Sequence, residues 1–519
     1  MPTDVLILDA QPLSIEEVRQ VAREHRGVSM GETARRAVDA ARAVIDDRAE
    51  GPEPIYGVNT GFGSLSRVRI AADDVRQVQR NLVRSHAAGV GEPLAEEVVR
   101  AMLLLQTASL CRGHSGARPE LIEAIIALLN HRITPVVPSR GSVGASGDLA
   151  PLAHAALVLI GEGRAQVGGR PMPGGEAIAA AGLKPVTLQA KEGLALINGT
   201  HLMCAIGALA LADVDHLQQA ALGAAAMAID ACRATDAFLD ERLHEARRQA
   251  GQRRVAAILR RLLDGSQIIP NHRDDDPRVQ DPYCLRAAPQ VLGAAFDTID
   301  YARAVFEREL GAVTDNPLVF PPEAHLSTPS SLQGSKPPLV SGGNFHGMPL
   351  AIALDCLALA LCHIAGIAER RINWLLAASD SENPVNVYLS PQPGLHSGLM
   401  MVQYTAAACC NELQTLAAPA STGNIPTSAG VEDYNSMGVT AAHQVRAAVE
   451  LARNVIACEL LVMTEAMEYQ RPLKSGAGVE RVYETVRRAV PRLTEDRPPA
   501  DDIAAIAELI RTNAFAQLT

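Results

Sequence analysis

Between residues 139 and 152 the chain reads SRGSVGASGDLAPL, with three glycines and three serines set between apolar stretches and Asp148 directly after them. A loop that only turns has no need of so many residues without bulk. A phosphate cradle is one use for such a loop, but no lysine stands where a P-loop requires it and no predicted strand leads in. A plain linker is a second use. The third is chemistry on the backbone itself. With the Gly147 amide nitrogen pressed against the Ala145 carbonyl carbon, a five-membered ring can close. Loss of one water from that closure, and of a second with the Ser146 hydroxyl, leaves an exocyclic methylene conjugated to an imidazolone. Ala145 is small enough for the approach, Gly147 has no β-carbon to block it, and Asp148 is placed to move protons. No metal is expected, because His244-Glu245 lacks the second histidine of an HExxH pair and no other ligand cluster is visible.

The elements that hold such a loop are helical by composition. The 519 residues are 48% hydrophobic but only 3% aromatic, with one tryptophan, Trp374, and long runs of alanine and leucine. That core suits close-packed helices, since β-branched and aromatic residues carry most strand propensity. Ser14-Ile15-Glu16-Glu17 is a capping box with Leu13 placed as a staple. Residues 94–112 and 119–132 read as amphipathic helices. Four further segments, 201–234, 349–378, 395–418 and 439–470, are long and apolar on every side, so other helices must enclose them. One chain has limited means to do so, which predicts a homo-oligomer of closed symmetry. The expected fold is mainly α: a mixed, mostly helical N-terminal part over 1–200 carrying the glycine loop, then a long helical bundle and C-terminal helices over 201–519. A proline-rich insertion spans 321–338.

The net charge of −11 argues against a nucleic-acid partner. Nine cysteines with no CxxC pair read as small buried hydrophobes in a reducing compartment. The N-terminus lacks the basic region of a signal peptide. The run at 349–368 is interrupted by Asp355 and His363, a core helix rather than a membrane span. The expected location is cytoplasmic, with no membrane partner, so the sequon Asn198-Gly199-Thr200 is not a glycosylation site.

Ala145-Ser146-Gly147 within GSVGASGDLAPLAH resembles the signature of the aromatic amino acid ammonia-lyases. The segments YGVNTGFG from Tyr56, NLVRSHAAG from Asn81, LINGT from Leu196, QDPY from Gln280, Asp315-Asn316-Pro317 and SGGNFH from Ser341 match that family in order, over nearly the whole chain. The resemblance implies the fold of that superfamily and a homotetramer with shared active sites. Its cofactor is 4-methylidene-imidazol-5-one, formed autocatalytically from Ala145-Ser146-Gly147. It also implies Tyr56 as the base that removes the β-proton, Asn198 beside the cofactor and the substrate carboxylate, Tyr283 as an aid to proton transfer, Arg286 as the carboxylate clamp, and Gln280 and Phe345 in the pocket.

The Ser85-His86 pair is similar to that of the family's histidine branch, where tyrosine and phenylalanine lyases carry other residues. An imidazole offers one donor and one acceptor, which His86 and Glu412 can satisfy from opposite ends. The resemblance therefore implies elimination of ammonia from L-histidine to give trans-urocanate. The alternatives are a phenylalanine or tyrosine ammonia-lyase, an aromatic 2,3-aminomutase, or an inactive helical scaffold that kept the fold. The chain departs from the histidine branch at Asn411-Glu412-Leu413-Gln414, at Tyr434 where a histidine is usual, and at 383–388.

Overall fold

The computed structural model describes residues 5–49, 51, 54–61, 69–71, 74–274, 276–321 and 338–516. Most of the proline-rich insertion, 322–337, lies outside them, as do Phe62 and Gly63 of the first motif.

The chain is mainly α, as its composition predicts. The capping box forms: the Ser14 hydroxyl accepts from the Glu17 amide at 3.1 Å, and the Ser14 amide donates to the Glu17 carboxylate at 2.8 Å. The helix it starts is Ile15–Arg23. The stretches predicted at 94–112 and 119–132 become Glu96–Cys111 and Pro119–Asn130. Three of the four apolar segments become helices of 31, 29 and 29 residues, His201–Ala231, Met348–Leu376 and Gly438–Ala466. The fourth is shorter than predicted, Met400–Leu416. Gly394 and Gly398 hold φ of +94° and +63° before it. At Gly398 a β-carbon would stand 2.5 Å from the Tyr388 carbonyl oxygen, so helix begins only beyond that bend.

Met348–Leu376 is long and apolar enough to cross a membrane by length and composition. It nevertheless buries Asp355, Glu369 and Arg371, and Arg371 is ion-paired to Glu459, which is the pattern of a core helix.

Strands are few and short. Val5–Leu8 pairs in parallel with Gly27–Met30, and Val90–Pro93 runs antiparallel to Pro138–Arg140. Arg164–Val167 is the centre of a three-stranded antiparallel sheet, and Leu318–Val319 pairs with Leu339–Val340.

The described chain divides into two compact units. One comprises residues 1–209, 304–354 and 420–443; the other comprises 210–303, 355–419 and 444–519. The first cut falls near residue 200, but 304–354 and 420–443 return to the first unit.

Candidate active site

The glycine loop joins the strand Pro138–Arg140 to the helix Leu149–Leu159, and neighbouring segments of the first unit clamp it. The Asp148 amide donates to the Gly199 carbonyl at 2.7 Å, and the Gly199 amide to the Ser146 carbonyl at 3.3 Å. The Met437 amide reaches the Val143 carbonyl at 3.0 Å, and the Ser436 hydroxyl reaches the Gly144 carbonyl at 3.2 Å. The Ser142 hydroxyl lies within 3.3 Å of the Gly147 carbonyl and 3.1 Å of the Asp148 carboxylate.

Gly147 holds φ of +73°, and a β-carbon there would stand 2.1 Å from the Gly199 carbonyl oxygen. Both the backbone conformation and the space therefore demand glycine at this position. Strain of this kind persists only where surroundings over-determine the backbone, and here six hydrogen bonds hold the loop.

Asp148 is wholly buried. Its carboxylate accepts from the amides of Leu202 and Met203 at 2.8 and 3.1 Å, at the N-terminus of the His201–Ala231 helix. Burial pushes its carboxyl up to about 7 against the pull of those amides. The group is thus poised to hold or release a proton near neutrality. His201, the first residue of that helix, is also buried, and burial pushes its imidazole down to about 4.

Asn198 sits on the turn between the helices Glu192–Ile197 and His201–Ala231. Its amide nitrogen donates to the Asp315 carboxylate at 3.2 Å and to the Asn316 carbonyl at 3.3 Å. Asp315 is held in turn by Lys191 at 2.6 Å, both side chains buried. This fixes the flip of the Asn198 amide and leaves its oxygen to meet a ligand.

These elements enclose a cleft of about 690 Å³. Tyr56, His86, Ala145, Ser146, Asn198 and Phe345 all line it, together with apolar Leu82, Leu194 and Ile197. Six residues singled out from sequence thus meet in one cavity, with Gly147 buried behind the loop. Tyr56 comes from the turn at 56–59. His86 comes from the last turn of Val75–His86. The His86 Nδ1 faces the Leu82 carbonyl oxygen at 2.9 Å. A carbonyl only accepts, so Nδ1 carries the hydrogen and Nε2 is the acceptor in the neutral ring. Ser85 is exposed, its hydroxyl on the same Leu82 carbonyl at 3.1 Å, and it does not line the cleft.

Part of this wall comes from residues with no role assigned from sequence. Asn316 and His346 line the cleft, as do Val431, Glu432, Asp433 and Tyr434. The His346 ring accepts from the Met348 amide at 3.3 Å and faces the Tyr434 carbonyl at 3.0 Å. It therefore ties the 431–434 segment to the Phe345 turn. Asn316 and His346 stood inside quoted motifs, a signal that could have found them. Lys191 gave none.

Four site residues named from sequence belong to the other unit. Gln280 is exposed. Tyr283 and Arg286 bound a single helical turn, with Tyr283 73% exposed and the Arg286 guanidinium carbon 4.6 Å from its ring centre. Glu412 lies exposed on Met400–Leu416.

Known proteins resemble this chain in both sequence and fold. The family model described as aromatic amino acid lyase matches residues 13–488. A histidine ammonia-lyase of Koribacter versatilis is 49% identical over 513 residues, covering 98% of each chain. The crystal structure of histidine ammonia-lyase from Trypanosoma cruzi superposes with a TM-score of 0.89 at 37% identity, over 99% of this chain and 94% of that one. Tyrosine aminomutase from Streptomyces globisporus superposes with a TM-score of 0.90 at 34% identity, over 99% and 98%.

Proposed function

The chain belongs to the aromatic amino acid lyase family, and from that premise we propose that it eliminates ammonia from L-histidine to give trans-urocanate. The observation that carries the reading is the meeting of Tyr56, His86, Ser146 and Asn198 on one cleft, above a loop whose glycine has space for nothing larger.

Ala145, Ser146 and Gly147 form 4-methylidene-imidazol-5-one in this reading. The residues fit that group: Gly147 holds a positive φ with no room for a β-carbon, and Ser142 and Asp148 stand at hydrogen-bond distance from each other at the loop. When formed, the group supplies an electrophile for the substrate amine, which no ordinary side chain provides. Tyr56 takes the proton from Cβ, its phenol needing a shift toward neutrality to act as base. Asn198 offers its amide oxygen, and Phe345 packs against the loop. His86 Nε2 accepts the ring N–H of the substrate imidazole.

Gln280, Tyr283, Arg286 and Glu412 complete the site from neighbouring copies in a homotetramer. Arg286 clamps the carboxylate in the bidentate geometry a guanidinium allows, and Glu412 meets the other side of the imidazole. The exposure of Tyr283 and Glu412 supports a role toward another chain. Nine free cysteines fit a reducing, cytoplasmic setting.

A panel of L-histidine, L-phenylalanine and L-tyrosine, followed by ultraviolet absorbance of the conjugated acrylate, tests the substrate. Turnover of histidine well above the other two is expected; a preference for either of the others would overturn it. The resemblance to a tyrosine aminomutase favours one second reading, return of the amine to Cβ. In that case a β-amino acid accumulates with little gain in absorbance.

A further inference from the structure

Arg371 and Glu459 are both fully buried in the second unit and play no part in the chemistry above. Two guanidinium nitrogens of Arg371 engage the two carboxylate oxygens of Glu459, the outer pair at 3.0 Å. A buried ion pair contributes little net stability, because the loss of hydration offsets the attraction, and apolar residues of like volume serve a core as well. Its presence calls for another reason, and the third guanidinium nitrogen supplies one. It donates to the Cys284 carbonyl at 3.4 Å, on the single helical turn bounded by Tyr283 and Arg286.

The rest of that arm is tied down in the same manner. Arg278 bridges Asp276 and Asp380 at 2.7 Å each and donates to the carbonyls of Cys232 and Arg233. The Asp281 carboxylate accepts from the Thr235 amide and hydroxyl at 3.1 and 2.7 Å. The backbone is thus fixed from beneath. Tyr283 is mostly exposed, and the Arg286 Nε is buried without a hydrogen-bond partner, a donor left open.

We propose that Arg371, locked by Glu459, is a positioning residue for substrate carboxylate binding: it holds the Cys284 carbonyl and so sets the direction in which Tyr283 and Arg286 are presented. This rests on the reading of Arg286 as the carboxylate clamp. A clamp displaced by a fraction of an ångström loses its bidentate fit, and neither Arg371 nor Glu459 touches substrate.

The test is the apolar swap Arg371→Met with Glu459→Leu, beside the parent. The swap is expected to melt near the parent and to retain its loop-derived mass deficit. KM for L-histidine and the inhibition constant of urocanate should both weaken roughly 10- to 100-fold. Inhibition by histidinol, which keeps the imidazole and amine but lacks the carboxylate, should be unchanged. Parent-like KM and urocanate inhibition would overturn the proposal, as would equal weakening toward urocanate and histidinol. Should the swap fail to fold, Arg371→Lys decides by the same split, since one ammonium cannot serve both Glu459 and the Cys284 carbonyl. A parent that neither turns over histidine nor binds urocanate would refute the underlying site reading instead, a result distinct from an active parent with unaffected variants.

Discussion

Asp148 is wholly buried beside the glycine loop. It accepts amides at the start of a 31-residue helix, yet burial lifts its carboxyl from 3.8 to about 7. Because the folded value lies above the unfolded one, the folded state binds this proton more tightly. The contribution to stability is full below about pH 4 and is lost as pH rises through 7, amounting to roughly 4 kcal/mol by pH 8. Asp148→Asn keeps an acceptor for the two amides and removes the titration. Melting temperatures taken between pH 4 and 8 should therefore fall less steeply for the variant, and parallel slopes would contradict the assignment. At this scale the sequence was most informative. Tyr56, His86, Asn198, Ser146 and Phe345 stood in motifs, and all of them face the cleft. Their partners were not legible: Ser436 meets Gly144 from 292 positions away, a juxtaposition that only the folded chain creates.

Among elements, the turn at 198–200 is held through the pair Lys191–Asp315. Both side chains are buried, and Asp315 also orients the Asn198 amide. Asp315→Ala leaves an ammonium in the core with no counter-charge, a loss of about 3–5 kcal/mol. A melting curve should drop accordingly, while Lys191→Met with Asp315→Leu should recover most of it. A single variant that melts within a degree of the parent would show the pair to be unimportant. Helix existence was legible because alanine and leucine dominate, and the capping box at Ser14 was legible in full. Helix length was less so: the Met400–Leu416 helix starts late because two glycines ahead of it take positive φ. A composition window averages over such a bend.

On the scale of the whole molecule, the division into two units explains what sequence order hid. Residues 304–354 and 420–443 rejoin the N-terminal part, and with them come Asn316, Phe345, His346 and the 431–434 wall of the cleft. Hydrophobic patterning marks which segments are buried, not which distant segments pack together, so a linear boundary near 200 could not anticipate this return. Gln280, Tyr283, Arg286 and Glu412 remain in the other unit, and in the proposed tetramer they act on a neighbour's substrate. All of this chemistry presupposes a loop that has reacted with itself. The intact mass of the purified, active chain tests that claim most directly. The expected mass is two waters below that of the sequence, and an inactive Ser146→Ala variant should show the full mass of its own sequence. A fully active chain at the unmodified mass would contradict it.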